Sequence, residues 1–122
     1  MTPHFTDDEL KCKCGCGMLP ELDFMLKVEK LRLLAGFPMP VNSAARCAKH
    51  NASVSGTGED GPHTTGRAID IGVSRENAYK LIKMAIGFGF TGIGVSQKGA
   101  SRFIHLDDLE SPKYPRPNVW SY

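Results

Sequence analysis

Apolar and polar positions along this chain repeat with two different periods, and the changes of period divide it into helices and short strands. After Pro20, the residues Leu22, Met25, Leu26, Glu29 and Leu33 approximate helical spacing as far as Ala35, where Gly36 supplies a stop. This predicts a helix from Pro20 to about Ala35 with its Leu and Met stripe in the core. A second helical run, Ala78, Leu81, Ile82 and Ala85, begins after Ser74, a residue type that caps helix N-termini. It predicts a helix from Arg75 to about Gly87 that covers a sheet. Thr6 with Glu9 three places later has the form of a capping box and predicts a short helix near residues 5–10. Ala48 to Val54 reads as one more short helix.

Elsewhere the period is two. In Ala68-Ile69-Asp70-Ile71 the isoleucines take one face and Asp70 the other, while in Phe103-Ile104-His105-Leu106-Asp107 the polar His105 and Asp107 share a face opposite Ile104 and Leu106. Both read as strands. Pro40 to Ser43 reads as another, and Phe88 to Ser96 with Arg102 to Asp107 reads as a final hairpin turning through Gln97 to Ser101. Ser55 to Gly61 is a loop before His63 that forms either one lip of a cleft or a plain solvated connection, and the proline-rich tail from Ser111 is extended, with Trp120 and Tyr122 able to pack back. The expected fold class is α+β, a small antiparallel sheet with flanking helices.

Composition bounds this picture without changing it. A chain of 122 residues that is 41% hydrophobic builds one modest core, so residues 1–122 are expected to form a single domain and to act as a monomer. A formal net charge of +2 leaves no strong electrostatic footprint for nucleic acid, and the cysteines lack zinc-finger spacing. No apolar run is long enough to cross a bilayer, and no basic segment leads into an apolar one at the N-terminus. The expectation is synthesis in the cytoplasm without a signal peptide, and no membrane insertion.

The chemistry gathers around Gly61-Pro62-His63-Thr64-Thr65-Gly66-Arg67-Ala68-Ile69-Asp70. Gly66 permits a turn that folds His63 back towards Asp70, whose carboxylate is fixed on a strand. Imidazole nitrogen and carboxylate oxygen both suit zinc, and a catalytic zinc site needs three protein ligands and an open position. The segment carrying His105 and Asp107 can complete the set. Either His105 binds the metal and Asp107 handles protons, or the roles are reversed; imidazole is the commoner zinc ligand, which favours His63, Asp70 and His105.

These motifs, His63-x-x-Gly66-x-Ala68-x-Asp70 followed much later by a strand with His105, resemble those of the zinc D-alanyl-D-alanine carboxypeptidases and L-alanyl-D-glutamate endopeptidases. That family shares its fold with the hedgehog signalling domain. Ser43-Ala44-Ala45-Arg46-Cys47-Ala48-Lys49-His50-Asn51 looks like the family's arginine-bearing segment, and the tail Val119-Trp120-Ser121-Tyr122 looks like tails of phage members. The resemblance implies a hedgehog/DD-peptidase-like fold, a catalytic Zn2+ and hydrolysis of a peptide-stem bond of bacterial peptidoglycan. It implies action at the cell wall, in phage lysis after holin-type release or in wall remodelling. Arg46 is then the cation for the developing oxyanion or for a substrate carboxylate, with His50 beside it as a further substrate-binding candidate.

Two positions depart from the family pattern. Gly61 stands where relatives carry a serine, and Arg102 and Phe103 stand where relatives place their catalytic base. Asp107 is therefore the expected proton-handling residue, and a wall-binding module that keeps zinc without catalysis is the alternative. Cys12, Cys14, Cys16 and Cys47 admit three states: a second, structural zinc site, a disulfide between Cys47 and one of the other three, or free thiols.

Overall fold

The sheet in the computed structural model, which describes residues 1–122, is held together by the period-two segments. Strands β1 (Val41–Ser43), β2 (Ala68–Ile71), β3 (Gly92–Ser96), β4 (Phe103–Asp107) and β5 (Asn118–Ser121) lie in the order β1-β2-β4-β3-β5. Helices α1 (Asp7–Leu10), α2 (Leu22–Ala35), α3 (Ala48–Val54) and α4 (Arg75–Gly87) flank it, and a 3-10 turn spans Pro62–Thr65. This is the α+β architecture expected.

The antiparallel expectation holds for β1, β2, β4 and β3, whereas β5 runs parallel to β3 and makes the sheet mixed. Its direction follows from the connection. Asp107 at the end of β4 pairs with Gly92 at the start of β3, and Asn118 also pairs with Gly92. The tail thus re-enters at the edge where β4 left, pointing opposite to β4.

Alternation gives the sheet two unlike faces. Ile69, Ile71, Ile93, Ile104 and Leu106 turn to one side and pack with Phe24, Leu31, Leu81 and Ala85 of α2 and α4 in one buried cluster. The other face carries Asp70, His105 and Asp107, all buried. Arg67, just before β2, donates two hydrogen bonds at 2.9 and 2.7 Å to Asp108, just after β4, and a third to Asp23 of α2. The ends of the two central strands are thereby tied to the helical layer.

Helix α2 ends where expected, at Gly36 in the left-handed region with φ 70°, but its buried stripe is rotated from the one expected. Phe24, Met25, Val28 and Leu31 are fully buried, while Leu22, Leu26 and Leu33 are 54%, 49% and 63% exposed. The helix carries leucines on every side, so spacing alone leaves its rotation open. The aromatic residue decides it, because Phe24 meets Phe90 edge-on with ring centroids 5.9 Å apart.

Glu29 lies on the buried side of α2 and accepts hydrogen bonds from the His4 backbone N–H at 2.8 Å and the His4 ring at 2.6 Å. Burial acts to raise its pKa, but these bonds and the His4 charge outweigh burial and leave the carboxyl below its ordinary value. A lowered folded-state pKa stabilises the fold above the ordinary glutamate range and stops doing so as pH falls through the lowered value. Glu29→Gln is expected to reduce stability to urea by about 1–3 kcal/mol at about pH 6, with the gap to the parent closing towards about pH 3. A gap that stays constant over that range would show that Glu29 does not act through its charge.

Candidate metal centre

One cross-strand row builds the polar face. Ser43 pairs with Asp70, Asp70 with His105, His105 with Gly94 and Gly94 with Trp120, so these positions share one side of four adjacent strand pairs. The alternation read from β2 and β4 is what aims Asp70 and His105 at each other. His63 arrives from the 3-10 turn, which ends at Gly66 in the left-handed region with φ 76°. A side chain at that position is strained in this conformation, so the return of the chain towards Asp70 depends on glycine.

His63, Asp70 and His105 are all buried, and their ligand atoms lie within 4.8 Å of one another. His63 Nε2 is 3.2 Å and His105 Nδ1 3.0 Å from the same oxygen, Oδ1 of Asp70. The far nitrogen of each ring is already engaged: His63 Nδ1 with the Ala44 carbonyl at 2.6 Å, and His105 Nε2 with Asp107 Oδ2 at 2.7 Å. Both far partners accept only, so each ring places its N–H there. The near nitrogens then face a carboxylate oxygen with lone pairs, and only a proton or a metal cation makes that juxtaposition favourable. This donor set fits zinc, with each imidazole fixed by an acceptor on its far side.

The charges of these groups act on one another. Burial works to raise the Asp70 pKa, yet hydrogen bonds and charge from His105 and His63 hold it well below the ordinary carboxylate range. Burial likewise opposes protonation of His105, but Asp107 and Asp70 together raise its pKa. For Asp107, burial is outweighed by His105 and Arg116, and its pKa is lowered.

Asp107, the residue expected to handle protons, stands away from the cleft. Its side chain is 0% exposed, and Arg116 grips both oxygens, at 2.9 Å to Oδ1 and 2.8 Å to Oδ2. It lies behind His105 and is absent from the cleft wall. Two glycines allow this close packing: a Cβ at Gly92 would collide with the Asp107 carboxylate, and one at Gly94 would press on Trp120 and His105.

Above the three donors opens a cleft of about 550 Å³ whose walls include Arg46, Asp60, Tyr114, Arg116, Trp120 and Tyr122. The loop from Ser55 contributes Ser55, Gly56 and Thr57 and so forms a lip. Arg46 donates to Ser43 Oγ and Asn51 Oδ1, both at 3.0 Å, and its Nη2 stands 3.6 Å from Asp70 Oδ2. His50 does not line the cleft; it sits on α3, with its backbone N–H directed to Cys47 Sγ at 3.4 Å. The four cysteines come together at a separate place, with sulfur atoms within 4.8 Å of one another.

Residues 3–107 match the family model for peptidase M15. The chain belongs to the peptidase M15 family. M15 peptidases are zinc-dependent, which agrees with the donor set of His63, Asp70 and His105. No curated protein matches the sequence. The matched region ends at Asp107, so in this M15 chain the tail that supplies Arg116, Trp120 and Tyr122 to the site lies beyond the family pattern.

Arg116 is the residue that sequence reasoning passed over. It stands between Pro115 and Pro117 in a tail that reads as plain extended chain, and its partner is set by tertiary folding. One signal pointed to it: an aspartate on a buried strand needs a cation, and the tail follows that strand directly.

If Asp107 acts by holding His105, Asp107→Asn is expected to weaken zinc binding about 10–100-fold in a chelator competition assay. A group serving only as a base would leave zinc affinity unchanged.

Proposed function

We propose that this M15 protein is a zinc peptidase that hydrolyses a peptide-stem bond of bacterial peptidoglycan, either D-Ala-D-Ala as a carboxypeptidase or L-Ala-D-Glu as an endopeptidase. One observation carries the reading: three buried donors converge at the foot of an open cleft, and both imidazoles are fixed by acceptors on their far nitrogens. The setting proposed is phage lysis or wall remodelling, with action at the cell wall. No helix is long and apolar enough to cross a membrane.

His63, Asp70 and His105 would hold the zinc, which when bound would supply Lewis acidity and bring the pKa of a water to about 7. His105 is kept in position and enriched in electron density by Asp107, which is itself neutralised by Arg116. The Ala44 carbonyl does the same for His63. Arg46 donates one N–H each to Ser43 and Asn51, leaving further donors for a substrate carboxylate or the oxygen of the attacked carbonyl. Trp120, with its ring centroid 5.1 Å from that of His105, covers one side of the ligand and limits water access there.

A second reading, a zinc-containing wall-binding module without catalysis, is favoured by the burial of Asp107. With that carboxylate behind His105, Asp70 is the only carboxylate at the foot of the cleft, and Asp60 lies on its outer wall beside Lys113 at 3.1 Å.

Zinc-loaded protein incubated with purified peptidoglycan is expected to release new amino termini. Chelation should abolish the release and added zinc should restore it, while His63→Ala should remain inactive in both conditions. Arg46→Ala is expected to lower kcat/KM by about 10²-fold or more. Binding to peptidoglycan with no new amino termini would replace the peptidase reading with the binding module.

A further inference from the structure

Cys12, Cys14 and Cys16 alternate along the chain, a pattern that in an extended strand places successive sulfurs too far apart for one ion, because residues two apart are about 6.6 Å distant. Here the segment is not extended. Gly15 and Gly17 take φ values of 88° and 86°, the Gly15 N–H reaches the Cys12 carbonyl at 3.3 Å, and the Cys12 N–H reaches the Met18 carbonyl at 2.9 Å. The chain curls into a knuckle that brings its sulfurs together. Cys47, far away in sequence, closes the group from the start of α3.

The resulting distances have a particular value. Cys12 Sγ lies 3.4 Å from Cys14 Sγ and 3.9 Å from Cys47 Sγ, and Cys14 Sγ lies 3.6 Å from Cys47 Sγ. Four thiolates in a tetrahedron around zinc, each at about 2.3 Å, stand about 3.8 Å apart. All four residues are free cysteines, so of the three states open to them the disulfide is not formed. Two backbone N–H groups point at sulfur, from Cys47 to Cys12 Sγ and from His50 to Cys47 Sγ, both at 3.4 Å. Sulfur is a weak acceptor as a thiol and a better one as a thiolate, so these donors suit the metal-bound form.

We propose that Cys12, Cys14, Cys16 and Cys47 bind a structural zinc ion that fastens the N-terminal arm to the loop carrying Ala44 and Arg46. Binding releases the thiol protons to solvent and leaves four Zn–S bonds and no open position, which suits structure rather than catalysis. The loop it fastens is the one that orients the other centre. Ala44 accepts from the His63 ring, the Arg46 N–H donates to the His63 carbonyl at 3.2 Å, and the Ala45 N–H donates to the Leu10 carbonyl at 3.1 Å. The thiolate site therefore stands at the far end of the scaffold behind His63, and it does not depend on the chain being a peptidase.

Metal content, thiol reactivity and the cobalt spectrum of the full chain test this without an activity assay. Native protein is expected to hold two zinc ions per chain, with its thiols protected from a thiol reagent until a chelator is added. His63→Ala should keep one zinc, and its cobalt-substituted form should show thiolate-to-cobalt charge transfer and the strong visible bands of a tetrahedral sulfur site. Cys16→Ser, a change at an exposed position, should weaken those bands and lower the zinc content from two towards one. One zinc per native chain with four rapidly reacting thiols would overturn the proposal, as would a His63→Ala cobalt form lacking charge transfer. Failure of peptidoglycan cleavage with two zinc ions bound would leave this site standing and remove only the peptidase reading.

Discussion

The pairing of Asp70 with His105 across two central strands is the interaction on which the rest of the site depends. Each of these groups is buried, and neither can be buried alone without a large loss of hydration. The structure answers by extending the pair in both directions. Arg116 neutralises Asp107, Asp107 accepts from His105, His105 and His63 meet on one oxygen of Asp70, and the Ala44 carbonyl receives the last N–H. In this chain of contacts every group has a partner on its far side, so the near sides are the only places left for a cation. Breaking a buried ion pair such as Asp107 with Arg116 by removing one partner costs about 3–5 kcal/mol, because the other charge stays behind. The polar face is thus fixed by the requirement that no buried charge go unpaired.

That requirement reaches into the backbone. His105 and Asp107 are large for the space between neighbouring strands, and they fit because β3 offers Gly92 and Gly94 opposite them. The missing side chains let Trp120 of β5 approach the His105 ring and let Arg116 close over the Asp107 carboxylate. Glycine inside a strand ordinarily weakens it, and here the loss is offset by the tail that the two glycines admit. The guanidinium of Arg116, 5.0 Å from the Trp120 ring, joins the two contributions of the tail into one.

Strand alternation made much of this legible beforehand. The facing of Asp70 and His105 follows from period two, and the return of His63 follows from Gly66, so three donors were identifiable from local pattern. Helix α4 was also readable, since Ala78, Leu81 and Ala85 form one apolar side against a polar remainder. Helix α2 was readable in extent but not in rotation, because leucines surround it and only the Phe24–Phe90 contact selects a face. The side of His105 on which Asp107 stands was not readable. Both residues share a strand face, and whether the second carboxylate meets the cleft or the protein interior depends on a cation delivered from the tail.

The position of Asp107 alters where chemical versatility can reside in this fold. A carboxylate in the cleft can exchange protons with water, whereas one buried between an arginine and an imidazole has both oxygens committed and acts on reactivity only through the ligand it holds. The solvent-reaching polar groups of the cleft, Asp60 and Tyr114 among them, lie on the lip and the tail rather than on the sheet. The sheet carries Asp70 and His105, while these outer groups sit on connecting segments, where sequence varies more readily than in a sheet. Two of the three donors stand on strands clamped by Arg67 and Asp108, and the third, His63, stands on the 3-10 turn Pro62–Thr65 and is held by the Ala44 carbonyl and the Arg46 N–H. The segment from Ala44 to Cys47 thus orients the one donor that the sheet does not carry.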